Sequence, residues 1–450
     1  MIESLRNWVS RKHDALLPSS PLRARFTTGV LWSVGGSVIS RGFTFLAAVF
    51  CARLLGKIQF GELGMIQSTA GLFGIFAGLG LGLTATKYVA EFRGRDHGKA
   101  GRVLAISAVF ALISGMGMTL LLILMSTNLA ARTLSAPQLA IPLAIGSGLV
   151  LFGAINGAQT GALAGLEAFR TIALVNMWAG ISSLPLIIVG VWKWGIEGAV
   201  CGSVAAMAAN CLLNNVAIRR ECRKAGIRYD FRNCFREMHV LHKFSLPAFL
   251  ASIVVGPALW VCNAMLVNRP DGYAAMGLYT AADKWRLMIL FVPTSLAGTT
   301  LPMLSNLYGD DAIGYARVLR ANLLLNFGLT ALPTIIVSLL SIPILSLYGP
   351  GYRAAWPILV ILAVAAIPES LNNSLGYAVL SSASVWWRFW FDALLAVVLV
   401  GFAWWAIPRW SGVGLAIAYA LAFSLTAAGL FLFLRARSPR ELGVAAEVSG

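Results

Sequence analysis

The chain has 450 residues, of which 58% are hydrophobic and only 12% are charged. The charged fraction is about half that of an average soluble domain, and apolar runs of about 20 residues or more are long enough to cross a bilayer. These properties exclude a soluble globular protein. The net charge of +17 does not indicate nucleic acid binding, because the basic residues cluster between apolar runs, where they orient the chain and attract anionic lipids.

Twelve apolar stretches predict an all-α polytopic membrane protein with about twelve transmembrane helices. The least distinct divisions lie near Lys193–Glu197 and near Ala383, where neighbouring stretches almost touch. The predicted spans are residues 28–55, 62–90, 102–127, 138–165, 171–193, 197–219, 243–268, 274–302, 316–347, 354–382, 384–407 and 410–435.

The distribution of Lys and Arg predicts the orientation. Of the 35 basic residues, 25 fall in the two tails and the even-numbered connectors, 7 in the odd-numbered connectors and 3 inside spans. Because basic residues are retained on the cytoplasmic side, we expect both termini in the cytoplasm.

A long basic connector divides the chain into two halves of six spans each. Both halves then enter the membrane in the same direction, which predicts a pseudo-two-fold axis along the membrane normal. A short repeat supports this symmetry, since Phe60-Gly61-Glu62-Leu63 resembles Met276-Gly277-Leu278-Tyr279 at an offset of 216 residues. The predicted divisions are an N-tail (1–27), an N-lobe (28–219), a linker (220–242), a C-lobe (243–435) and a C-tail (436–450).

Motifs for nucleotide, metal or redox chemistry are missing from the sequence. The segment from Gly94 to Ala100 is too short for a P-loop and lacks the Ser or Thr that would hold Mg²⁺. The six cysteines form no C-x-x-C pair, and no H-E-x-x-H pattern occurs. We therefore expect no cofactor and no metal, and any uphill work would draw on an H⁺ or Na⁺ gradient or on the substrate gradient.

Arg41 lies in the middle of the first span, about 20 Å from either end. A charge at that depth costs roughly 2.5–3.5 kcal/mol on insertion scales, so it normally faces a polar cavity or a partner. No acidic residue lies within a helical turn of Arg41. This favours a site that receives an anion, and a structural role is the alternative.

Five further ionisable residues lie at membrane depth. Asp283 and Arg286 share a helix face and either serve a site or form a static pair, whereas Lys284 points elsewhere and can reach the outer interface. Glu369 is a candidate for proton or ion coupling, or it hydrogen-bonds to the asparagines that follow it. Asp392 is a second coupling candidate, although Arg388 close by favours a structural pair.

Two groups of residues resemble the polysaccharide-transporter flippases, the Wzx-type proteins of the MATE-like MOP superfamily. The resemblance extends from about Phe26 to Arg437. The first group comprises Ala52-Arg53-Leu54-Leu55-Gly56, Phe60-Gly61, Gly80-Leu81-Gly82-Leu83 and Tyr88-Val89-Ala90-Glu91. The second comprises Gly277-Leu278-Tyr279-Thr280-Ala281-Ala282, Pro302 and Tyr308.

The resemblance implies a MATE-like fold with two six-helix lobes around a central cavity, in the bacterial inner membrane. It implies a flippase for undecaprenyl-diphosphate-linked oligosaccharide, an O-antigen or exopolysaccharide unit, working by alternating access beside polysaccharide polymerase or ligase partners. In that reading Arg41, Arg286 and Lys284, with Asp283 beside them, hold the diphosphate.

Two alternatives stay open at this stage. A MATE-type drug or cation antiporter would be expected to have an acidic cavity, whereas the spans hold three bases and three acids. A polytopic polymerase or glycosyltransferase would need a large external loop, and no predicted external connector exceeds about a dozen residues. We therefore expect a transporter and not an enzyme.

Overall fold

The computed structural model describes residues 21–238, 253–307, 312–381 and 385–436. The side chains of residues 21–35, 37, 296–302, 306, 312 and 385 are not part of that description. Outside the described residues lie the predictions for most of the N-tail, the end of the linker, the start of the seventh span, Tyr308, the division near Ala383 and nearly all of the C-tail.

Every regular element in the described ranges is helical. A π-helical turn (Leu129–Thr133) and three short 3₁₀ helices (Pro137–Leu139, Cys234–Glu237 and Pro350–Ala355) join the α-helices. The α-helices are α1 (Pro21–Gly78), α2 (Leu81–Phe92), α3 (His97–Asn128), α4 (Ala140–Gly146), α5 (Gly148–Gly165), α6 (Phe169–Lys224), α7 (Val255–Val267), α8 (Gly272–Leu307), α9 (Ala312–Leu339), α10 (Ser341–Ser346), α11 (Trp356–Ser381) and α12 (Val385–Ala436).

Three of the long helices are each two spans joined by a sharp break. The breaks fall at Gly56 (φ 72°), at Gly195 (φ 55°) and at Ser411 (φ 49°), in or beside the predicted odd-numbered connectors. Positive φ is readily adopted by glycine, which explains the first two positions. Once these three helices are divided, and the short helices α2, α4 and α10 are joined to the rods they continue, the described residues form twelve rods in the predicted order, so the predicted fold class is confirmed.

The two copies of the sequence repeat contact each other in the structure. A Cβ atom added to Gly61 would overlap the carbonyl oxygen of Tyr273, and one added to Gly277 would overlap that of Lys57. Both pairs are related by the same step of 216 residues, since Lys57 corresponds to Tyr273 and Gly61 to Gly277. Reciprocal contacts of this kind are expected where a two-fold axis passes between equivalent surfaces.

A close crossing of α1 and α6 fixes the direction in which α1 faces. A Cβ added to Gly180 would lie 2.6 Å from Ser40 Cα, and one added to Gly36 would lie 2.6 Å from the carbonyl oxygen of Ala173. Small residues permit such approach between membrane helices. The crossing packs the Ser40 side of α1 against α6, immediately before Arg41.

Candidate functional site

A cavity of about 580 Å³ lies between the two lobes. Residues of α1, α6 and α8 line it, so both halves of the chain contribute. The lining comprises Ser40, Arg41, Thr44, Phe45, Ala47, Ala48, Cys51, Phe60, Leu63, Gln67, Asn176, Ile187, Ser203, Lys284, Leu287, Met288, Phe291 and Ser295. Two of these residues are basic and none is acidic.

Arg41 presents its side chain to this cavity from the N-lobe. Its guanidinium carbon lies 4.5 Å from the centroid of the Phe291 ring on α8, a cation–π contact between the lobes. Within the described ranges, Arg41 makes no ion pair with an acidic side chain. Its charge is therefore available to an incoming anion.

Lys284 faces the same cavity from the C-lobe. Its Nζ donates to Oε1 of Gln67 at 3.3 Å, and the side chain is half-buried. Lys284 follows Asp283 on α8, so it is turned by about 100° from its neighbour on the helix surface. Helix spacing allowed Lys284 to reach the outer interface, and the family resemblance implied a place beside the diphosphate; in the structure Lys284 lies in the cavity wall.

Arg286 lies elsewhere, in a buried polar cluster within the C-lobe. Its Nε donates to Asp283 Oδ1 at 2.7 Å, and its Nη1 donates to Glu369 Oε2 at 2.5 Å and to Tyr419 Oη at 2.7 Å. Only 7% of Arg286 is exposed. The cluster ties α8 to α11 and α12, and Arg286 does not line the central cavity.

This arrangement changes the interpretation of two candidates. The family resemblance implied that Arg286 holds the diphosphate together with Arg41, but the described C-lobe cation that lines the cavity is Lys284. Glu369, a candidate for proton or ion coupling, is paired with Arg286. The asparagines after Glu369 do not supply its hydrogen bond in the part of the chain that the structure describes.

Asp392 forms a separate ion pair in the C-lobe, with Arg388 on the same helix. Arg388 Nε donates to Asp392 Oδ2 at 2.9 Å, and Arg388 Nη2 lies 2.7 Å from Oδ1. Arg388 also donates to the backbone oxygen of Asn372 at 3.3 Å. The pair joins α12 to α11 and is not part of the cavity lining.

Polar contacts between the lobes close the cavity towards the predicted external connectors. Tyr273 Oη donates to the carbonyl oxygen of Leu134 at 2.8 Å, and Asn268 Nδ2 donates to that of Thr133 at 2.7 Å. Ser135 Oγ lies 2.6 Å from Asn268 Oδ1. We call Asn268, Tyr273 and their three partners the external latch.

Sequence reasoning missed the latch, Gln67 and Phe291. No pattern singled them out, because amide and aromatic side chains are common in membrane helices and their partners lie far away in the sequence. Among the described residues, no group of three or more His, Cys, Asp or Glu side chains could hold a metal ion.

Three comparisons place the chain among known proteins. Residues 26–308 match the profile of the family described as polysaccharide biosynthesis protein. The EPS I polysaccharide export inner membrane protein EpsE of Ralstonia nicotianae (strain ATCC BAA-1114 / GMI1000) is 25% identical over 406 residues, which cover 88% of this chain and 91% of that protein. EpsE of Ralstonia solanacearum is 24% identical over 424 residues, covering 92% and 93%.

Solved structures show the same fold. The inward-facing conformation of a multidrug resistance MATE family transporter superposes with a TM-score of 0.74 at 16% identity, covering 91% of this chain and 98% of that one. Its outward-facing counterpart gives 0.69 with coverage of 91% and 95%. A MOP superfamily transporter from Pyrococcus furiosus, described as having a binding pocket of reverse polarity, gives 0.68 at 16% identity with the same coverage.

The family profile spans more than half of the chain, and the relatives are export proteins and transporters. The prediction of a transporter that is not an enzyme is therefore confirmed. The chain belongs to the polysaccharide biosynthesis protein family and is a multi-pass polysaccharide transporter of the bacterial inner membrane with a MATE-like fold.

Proposed function

We propose that this transporter is a flippase for a lipid-linked oligosaccharide. Its substrate is an undecaprenyl-diphosphate-linked O-antigen or exopolysaccharide unit, and it moves that unit from the cytoplasmic to the outer leaflet. The observation that carries the proposal is the charge of the central cavity, where Arg41 and Lys284 line one space and no carboxylate of the described residues lines it.

The two cations divide the recognition of a diphosphate between the lobes. The planar guanidinium of Arg41 suits bidentate contact with phosphate oxygens, whereas the ammonium of Lys284 acts as a compact point charge. Phe45 and Phe291 provide aromatic surface beside the charges, which suits the apolar faces of sugar rings. The lipid tail would remain in the bilayer.

The closed external end of the cavity supports the proposed direction of transport. The external latch joins the lobes on the side of the predicted external connectors, so the substrate enters from the cytoplasmic side in this conformation. Opening the latch and closing the opposite side would release the substrate to the outer leaflet. The match to an inward-facing relative supports this assignment.

Coupling to H⁺ or Na⁺ would involve the C-lobe acids. Asp283 is the neighbour of Lys284 along α8 and also pairs with Arg286, which links the cavity to Glu369. An anion bound at Lys284 would change the electrostatic environment of this cluster. Asp392 pairs with Arg388 and has no neighbour in sequence that lines the cavity, so we favour the Asp283–Glu369 cluster, which adjoins Lys284, as the coupling site.

The test is transport of an undecaprenyl-diphosphate-linked oligosaccharide into the inaccessible leaflet of proteoliposomes. We expect Arg41→Gln and Lys284→Gln to reduce transport strongly, and Arg41→Lys to retain part of it because the charge is kept. Arg53→Gln, at an exposed position near the external end of the first span, is the matched control and should transport normally.

Surface polysaccharide in a strain that depends on this chain gives a second readout. Arg41→Gln should abolish it without loss of protein from the membrane, and normal polysaccharide in that variant would contradict the assignment. Efflux of a cationic dye that rises with expression, without oligosaccharide transport, would instead establish the drug antiporter that the acid-free cavity disfavours.

A further inference from the structure

A second groove lies in the N-lobe, apart from the central cavity. It has a volume of about 420 Å³ and lies between α3, α5 and the end of α6, with the segment after α6 at its edge. It shares no lining residue with the central cavity. Transport through the centre of the molecule therefore does not explain it.

The groove forms because α3 and α6 both pack against α5 and leave a gap between each other on that side of α5. A Cβ added to Gly115 on α3 would lie 3.2 Å from the Leu151 side chain of α5. From α6, Asn214 Nδ2 donates to Asn156 Oδ1 of α5 at 2.6 Å. The floor of the groove is consequently α5, and its two walls are α3 and α6.

Two buried polar atoms in the groove have no hydrogen-bond partner among the residues that the structure describes. Ser107 is only 2% exposed, and its Oγ is unpartnered. Gln159 presents an unpartnered Oε1 from the floor. Because an unsatisfied buried polar group is costly, these atoms point to a ligand with polar groups of its own.

The mouth of the groove is basic and aromatic. Arg219 lines it, is exposed, and makes no ion pair with a described acidic residue. Tyr229 and Phe231 stack at 5.5 Å at the edge, and burial raises the pKa of Tyr229, so its hydroxyl stays protonated. A cation beside amphipathic aromatic rings is typical of the headgroup level of a bilayer.

One wall continues into lipid-facing surface. Leu112 lines the groove and is 46% exposed, and the next two residues on the same stripe of α3, Met116 and Leu120, are 57% and 58% exposed. This stripe provides a continuous apolar track for a chain that starts in the groove.

We propose that the groove binds one anionic phospholipid from the leaflet at the linker end of the molecule. The phosphate lies at Arg219, the glycerol and ester oxygens lie near Ser107 and Gln159, and an acyl chain follows the α3 stripe. This ligand carries the three chemical features of the groove in the same order: negative charge, neutral polar groups and hydrocarbon.

The test is native mass spectrometry of the purified full chain titrated with phosphatidylglycerol, with phosphatidylcholine as the neutral comparison. We expect one phosphatidylglycerol to be retained more tightly than phosphatidylcholine. Arg219→Gln should weaken its binding about tenfold. The matched control is Arg220→Gln, the same charge change at the adjacent exposed residue outside the groove, and it should bind normally.

Two further variants distinguish a specific lipid-binding site from general attraction of anionic lipid to a basic surface. Ala108→Phe, at an exposed lining residue, should fill the groove and abolish the retained lipid while the protein folds normally. Gln159→Leu should raise Tm in lipid-free detergent and reduce the extra rise that phosphatidylglycerol gives.

Three results would overturn the assignment. Equal losses of phosphatidylglycerol binding in Arg219→Gln and Arg220→Gln would show that surface charge alone attracts the lipid. Unchanged binding in Ala108→Phe would show that the lipid does not occupy the groove. A preference for undecaprenyl phosphate over phosphatidylglycerol would replace the phospholipid with the transporter's own carrier lipid. These results do not depend on oligosaccharide transport, so they are independent of the proposed function.

Discussion

Two arginines at membrane depth, Arg41 in the N-lobe and Arg286 in the C-lobe, are stabilised in opposite ways. Arg286 is buried and satisfied by two carboxylates and a phenol, whereas Arg41 faces the cavity, where the ring of Phe291 lies against its guanidinium and no described carboxylate pairs with it. A buried ion network supports the packing of a lobe, and an uncompensated charge beside open space remains available to a ligand. Depth in the membrane therefore does not distinguish a structural arginine from a binding one, but its partners do.

The largest expected effect comes from breaking the C-lobe cluster. Arg286→Gln leaves Asp283 and Glu369 without their cation in a buried site, which should destabilise the protein by roughly 3–5 kcal/mol. Thermal unfolding in detergent and the yield of membrane-inserted protein measure this loss. Arg41→Gln is the control and should unfold at nearly the wild-type temperature. Equal stability of the two variants would contradict the assignment of a structural role to Arg286 and a binding role to Arg41.

The second prediction concerns the charge that Lys284 contributes to the cavity. Lys284→Gln should lower the transport rate about tenfold, corresponding to about 1.4 kcal/mol of lost interaction with an anionic substrate. Lys284→Arg keeps the charge and should retain most of the rate. Initial rates in proteoliposomes make the comparison, and equal rates in all three proteins would exclude Lys284 from the site.

The third prediction tests how α1 holds Arg41 in place. Gly180→Ala introduces a Cβ within 2.6 Å of Ser40 Cα, so α1 must move, at a cost of roughly 1–3 kcal/mol and with slower transport. Gly71→Ala is the matched change, because no atom lies within 4 Å of its added Cβ. That control should be neutral or stabilising by up to about 1 kcal/mol. If both variants behave alike, the crossing does not position Arg41.

The smallest effect is expected at the external latch. Asn268→Ala removes contacts with Thr133 and Ser135, each hydrogen bond contributing about 0.5–1.5 kcal/mol, and should favour opening at that end. Electron–electron distances between spin labels on the two lobes would report the shift. Ser346→Ala serves as a control, since its hydroxyl donates to the carbonyl oxygen of Pro343 on its own helix and to no other described residue. An unchanged distance distribution in Asn268→Ala would show that the latch does not set the conformation.

The order and breaks of the helices were predictable because hydropathy and basic residues are local signals. The breaks at Gly56 and Gly195 fall inside predicted connectors. The depth of Arg41 and the nearness of Asp283 to Arg286 were also readable from spacing alone.

The partners across the fold were not predictable from spacing. Glu369 is 83 residues from Arg286 and Tyr419 is 133 residues away, so no local pattern connects them. Lys284 reaches the cavity because of the rotation of α8 about its own axis in the packed C-lobe. That rotation is set by packing against other helices and cannot be derived from the residues of α8 alone. Single residues at depth were therefore visible, whereas their pairing required the structure.

The reciprocal contact at the two glycines also bears on how far the lobes would separate for a given rotation. Gly61 and Gly277 bring the lobes together, backbone against backbone, near one membrane face, and they would be the pivot if the lobes rotate as the proposed function requires. With a lever arm of about 30 Å across the hydrocarbon core, a turn of roughly 10° about this pivot would move the far helix ends by about 5 Å. A contact between two glycines would thereby allow a small rotation to produce an opening as wide as a sugar ring.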